Sequence, residues 1–138
     1  MSLIKWEWQW QWSDAWILAS MLTSGEKHLF SVRDIIASGD YINHSIFNYD
    51  ELAHGIAKLE SIGFIKQQND KFLTTDKFVN EFKNEIKNSK NILKLCDKMF
   101  EKLSLIELDE TLLNNIVLID NSVYDQGCKE YLGRIDKY

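Results

Sequence analysis

The stretch from Asn48 to Asp76 constrains the fold more than any other part of this chain. Asn48 is a residue type that accepts from the free N–H groups of a first helical turn, and Asp50 and Glu51 place negative charge at the positive end of the helix dipole. Leu52, Ile56, Leu59 and Ile62 then recur at spacings of four and three, one apolar stripe on a helix. Gly63 supplies the left-handed residue that stops it. Two strand-like runs, 64–67 and 71–74, flank the polar turn Gln68-Asn69-Asp70. The pattern is a helix, a sharp stop and a hairpin. Gly55 costs about 1 kcal/mol relative to Ala inside a helix, so its presence predicts close approach by helix one or two.

Upstream, Ser13 is the expected N-cap of a first helix, 14–24, ended by Gly25 and carrying Ala15, Leu18, Ala19 and Leu22 inward. The run 28–31 reads as a short strand. Ser31 caps a second helix with Val32, Ile35 and Ile36 on its inner face, closing near Gly39. Helix, strand, helix, helix, strand, strand is the order of a winged helix-turn-helix. The fold expected is therefore mainly α with a small β-wing.

Between helices two and three, 40–47 is longer than an ordinary helix-turn-helix turn. Its run Tyr41-Ile42-Asn43-His44-Ser45-Ile46, followed by Tyr49, Glu51, Leu52, Gly55, Leu59, Gly63, Phe64 and Ile65, resembles a family of small bacterial winged-helix proteins of uncharacterised function. These share an Ile-Asn-His-x-Ile turn before such a helix. The Trp-Ser-Asp-Ala-Trp run at 12–16 is similar to their first-helix start, so the resemblance covers residues 12–75. It implies a fold and brings no catalytic residue with it.

Three segments follow: a Trp-rich extended arm at 1–13, a winged-helix domain at 14–76, and a long helix with a C-terminal helical extension at 77–138. In the arm, Trp6, Trp8, Trp10 and Trp12 alternate with polar residues, which puts the indoles on one face of an extended segment. Such a face either covers the domain's apolar surface or stacks bases. Covering is favoured, because only Lys5 supplies positive charge nearby. Thr75 caps the predicted helix 76–103, where Val79, Phe82, Ile86, Ser89, Leu93, Cys96, Phe100 and Leu103 form a heptad seam. Ile92, Leu95 and Met99 add a second apolar strip, which predicts cover from the tail or from a second copy in a homodimer. Beyond it, Asp109 caps a short helix and a final helix begins near Asn121, with Tyr124, Cys128, Tyr131 and Ile135 on one face.

Charge divides the chain unevenly. The net charge is −5, yet residues 77–103 carry seven lysines against four acids, while 14–76 carry five basic and nine acidic groups. Nucleic-acid modules show the opposite sign on the reading domain, since phosphate affinity comes from Lys and Arg. Lys83, Lys87, Lys90, Lys94 and Lys98 cluster on one arc of a continuous helix 76–103 and are the candidate contacts for DNA or an acidic protein, with Lys58 and His54 on helix three. Helix three has no Arg or Gln for base edges, so DNA binding is expected to be weak. Asp50, His54 and Lys58, four apart, read as a solvated ladder. Asn43 and His44 read as a structural turn, Asn43 tolerating the left-handed conformation.

No phosphate-cradling loop, nucleophile elbow or zinc spacing occurs, so no enzyme activity, metal or cofactor is expected. Cys96 and Cys128 are read as reduced thiols. No run of about 18 apolar residues and no basic-then-apolar leader is present, which predicts a cytoplasmic protein without a membrane partner. Two functions fit: a DNA-binding regulatory module, or a protein-interaction domain on the same scaffold.

Overall fold

The computed structural model describes residues 8–22 and 28–135, with the side chains of Arg134 and Ile135 left out. The elements run α1 (Trp12–Ser20), α2 (Val32–Asn43), α3 (Tyr49–Ser61), β1 (Ile65–Gln68), β2 (Lys71–Thr74), α4 (Asp76–Glu81), α5 (Lys83–Asn88), α6 (Ile92–Leu103), α7 (Glu110–Asn115) and α8 (Asn121–Ile135). The fold is mainly helical with one small antiparallel sheet. Trp6 and residues 23–25 lie outside the described residues.

Helix α1 is the centre. Every residue from Ser13 to Ser20 is buried, because α2, α3 and α6 all pack on it. Its start differs from expectation: Gln11, not Ser13, is the N-cap. The Asp14 carboxylate accepts from the Gln11 N–H at 2.8 Å, which draws Trp12 into the helix and ends the predicted alternation at 1–13.

Ser31 caps α2 as its side chain accepts from the Asp34 N–H, and Asp34 accepts from the Ser31 N–H in return. This helix runs through Gly39 to Asn43. Gly39 is inside it because the Phe47 ring presses close: a Cβ there would lie 2.4 Å from Phe47 Cε2. His44, rather than Asn43, takes the left-handed conformation (φ 54°) that ends the helix.

Helix α3 starts on the Asn48 capping box and buries Leu52, Ile56 and Leu59, with Ile62 half-buried. Gly63 follows at φ 83°. The hairpin pairs Ile65 with Thr74 and Gln67 with Phe72, turning at Asn69. Phe30 adds a single antiparallel bridge to Phe72, with N–H to O distances of 2.7 and 2.8 Å.

The long helix expected over 76–103 is three helices. Phe82, at φ −110° and ψ 15°, closes α4 so that its ring can join Phe64 and Phe78, with centroids 5.4 to 5.8 Å apart. Asn91 restarts the chain as α6 by accepting from the N–H groups of Leu93 and Lys94. The heptad seam dissolves with the break. Val79 and Leu93 are exposed, whereas Leu95 and Met99 are buried on the face of α6 that lies along α1. The self-association expected from that strip therefore loses its argument.

The C-terminal extension folds back. Helix α8 lies along α2, and the Asp109-capped α7 touches α3. Among the described residues, six aromatic side chains tie the two halves together. Trp8 Nε1 donates to Asn114 Oδ1, Trp10 Nε1 to the Ile106 carbonyl and Trp12 Nε1 to Asp97 Oδ1. The hydroxyls of Tyr49, Tyr124 and Tyr131 donate to the Ile119 carbonyl, the Phe47 carbonyl and the Asp40 carboxylate. Buried indole and phenol groups need such partners, which is why these aromatics fasten as well as fill.

Candidate functional site

The two faces of helix α3 have different surroundings. At roughly 100° per residue, Asp50, Ala53, His54, Ala57 and Ser61 lie opposite the Leu52–Ile56–Leu59 stripe, on the side a partner would have to meet. From Ala53 to Ala57 that side is covered by the chain itself, while Asp50 is exposed. Ala53 and Ala57 are 1% and 2% exposed, and Ala57 packs in a second apolar cluster with Trp8, Leu108 and Leu113. The His54 ring stands edge-on to the Trp8 indole at 5.2 Å, and its Nδ1 lies 3.0 Å from the Asp50 carbonyl.

Lys58, expected on the surface beside Asp50 and His54, is buried. Its ammonium lies 2.7 Å from Asp14 Oδ2, donates to the Gln9 carbonyl at 2.7 Å, and stands 5.9 Å from the Trp10 ring centroid. Both side chains of the pair are almost wholly out of solvent. Burial pushes the Asp14 carboxyl up from its ordinary range and the Lys58 ammonium down, while each charge restrains the other's shift. Among the described residues Asp14 Oδ1 has no hydrogen-bond partner, and it faces Gly55, where a Cβ would come within 2.9 Å of it. Gly55 is thus explained by helix α1: Ile17 Cδ1 and Asp14 occupy the space of its missing side chain. A cleft of about 100 Å³ opens beside the pair, lined by Gln11, Asn48, Glu51 and His54 among others. Sequence reasoning missed this pair because 44 positions separate its members and no local spacing announces them.

The five candidate lysines are exposed, but not along one helix. Lys83 and Lys87 are on α5, Lys90 in the turn, and Lys94 and Lys98 on α6. The two helices form a hairpin, closed at its base by Lys102, whose ammonium donates to the Glu81 carbonyl and lies 3.5 Å from Glu85. Asn43 is half-buried at the end of α2, and the exposed His44 donates its backbone N–H to the Asp40 carbonyl at 2.7 Å.

Among the described residues, no group of three or more His, Cys, Asp and Glu side chains is placed to hold a metal, and no helix is long and apolar enough to cross a membrane. Cys96 and Cys128 are free thiols. No family model, no curated protein and no solved structure matches the chain.

Proposed function

We propose that this chain is a winged helix used as a protein-interaction module rather than as a reader of DNA sequence. The element order, the Gly63 stop and the Gln67–Phe72 hairpin register support the winged-helix reading. One observation carries the functional half: the outward face of α3, the face a winged helix presents to a major groove, is covered around His54 and Ala57 by Trp8, Leu108 and Leu113, which leaves the acidic first turn at Asp50 exposed. A recognition helix needs donors free to reach base edges. Here Lys58 is locked to Asp14, His54 lies against Trp8, and Asp50 and Glu51 would repel phosphate.

The C-terminal extension supports contact with protein instead. Leu105 and Val117 are 86% and 88% exposed, large aliphatic groups on the same segment that covers α3. Photocrosslinking amino acids at Leu105, Val117 and Asp50, introduced singly in cells, test the reading. Protein adducts at Leu105 or Val117 without DNA adducts at Asp50 are expected. DNA adducts at Asp50 enriched in one sequence would overturn it in favour of the DNA-binding regulatory module.

A further inference from the structure

We propose that the free end of the α5–α6 hairpin is a contact surface for the phosphate backbone of duplex DNA, engaged without α3. This inference does not rest on the function proposed above, because backbone contact carries no sequence information. Within 83–98 the chain places five lysines against only Glu85 and Asp97. Asp97, exposed beside Lys98, accepts from the Trp12 indole at 2.8 Å and keeps its charge, while Glu85 lies 3.5 Å from the Lys102 ammonium. No ion pair to Lys83, Lys87, Lys90, Lys94 or Lys98 is found among the described residues. The hairpin is therefore net positive, on a protein whose formal charge is −5.

Geometry concentrates that charge. At a rise of about 1.5 Å per residue, Lys83 and Lys98 each lie within about 10 Å of the turn along their helices. The five lysines thus lie along one short hairpin, with Lys87, Lys90 and Lys94 nearest its turn. Duplex DNA is the polyanion such an end suits best, since it presents a charge about every 1.7 Å and demands no shaped groove from a lysine. The acidic remainder of the chain does not forbid the encounter. Screening over about 10 Å at 0.1 M salt confines its repulsion.

Fluorescence anisotropy of a labelled random-sequence duplex, titrated with the full chain at 50 and 200 mM salt, tests the proposal. Five neutralised phosphates give a log–log salt slope of roughly −4 to −5, hence an affinity loss of about 500-fold over that fourfold change in salt. The variant Lys87→Glu/Lys94→Glu, changed only at exposed positions, is expected to bind at least about tenfold more weakly at 50 mM and to reduce the slope by about two. Lys66→Glu/Lys71→Glu, on the hairpin of β1 and β2, leaves the slope within about one unit of wild type. Absence of binding at 50 mM salt, or binding lost in the β-hairpin variant but kept in the α5–α6 variant, overturns the assignment. So does equal displacement of the duplex by poly-L-glutamate at matched charge, which would point to an acidic protein instead.

Discussion

The Lys58 ammonium lies 2.7 Å from Asp14 Oδ2, joining the third helix to the first through a pair that solvent barely reaches. Removing one partner leaves the other charge buried and alone, which costs about 3–5 kcal/mol. Lys58→Met and Asp14→Leu are each expected to destabilise by that amount, and the double variant by much less than their sum. Urea unfolding of all four proteins gives the coupling. Strict additivity would mean that the two groups do not depend on each other.

Gly55 and Gly133 are expected to respond to alanine with opposite signs. Both substitutions gain up to about 1 kcal/mol of helix propensity. At Gly55 the new Cβ meets Ile17 Cδ1 at 2.4 Å and Asp14 Oδ1 at 2.9 Å, and overpacking of a filled core costs about 1–3 kcal/mol. At Gly133 nothing among the described residues lies within 4 Å. Thermal melts should therefore show Gly55→Ala falling and Gly133→Ala holding or rising. Ile17→Val should recover part of the first loss by withdrawing the nearer atom.

Acid should loosen α2 at its start. Burial raises the Asp34 carboxyl, but hydrogen bonds from Ser31 and the Arg33 guanidinium outweigh it and hold the group below its ordinary range. A carboxylate with a lowered pKa stabilises the fold fully above its unfolded value, about 3.9, and that contribution disappears as pH falls through the folded value. Asp34→Asn is thus expected to lower stability at pH 7 and to narrow the gap to wild type below about pH 4. Ser31→Ala removes the cap itself and costs about 1 kcal/mol. Denaturation curves across pH 2.5–7 would reveal the convergence, and a gap that persists undiminished at low pH would refute it.

The two thiols should react at different rates. Burial, and the neighbouring Asp97, push the Cys96 thiol up to about 12, so almost no thiolate exists at pH 8. Cys128 is half-buried on α8. An aromatic disulfide reagent at pH 8 is expected to modify Cys128 first and Cys96 only on unfolding. Mass spectrometry of the early product identifies the site.

Local signals in the sequence were enough for the capped elements. Asn48, Ser31, Thr75 and Asp109 each announce a helix start through a side chain that accepts from its own next turn, and Gly63 needs no distant partner to stop one. What escaped was decided at long range. Helix 76–103 reads as continuous because Phe82 and Asn91 break it for the sake of an aromatic cluster and a new cap, neither of which alters the spacing of apolar residues. Lys58 reads as a surface cation because its acid comes from α1. The cover over α3 was foreshadowed by the row of tryptophans, whose partners in α6, α7 and the segment between them no periodicity could name.

The indole hydrogen bonds of Trp8, Trp10 and Trp12 span 106, 96 and 85 positions. On a ribosome these tryptophans emerge that many residues before their acceptors. At about 5–20 residues per second, some 5–20 s separate the two ends. From the emergence of α3 until those acceptors follow, its outer face and the indoles that close it are exposed together. The nascent chain is then open to chaperones, or to a partner competing for the same surface, in a way the finished molecule is not.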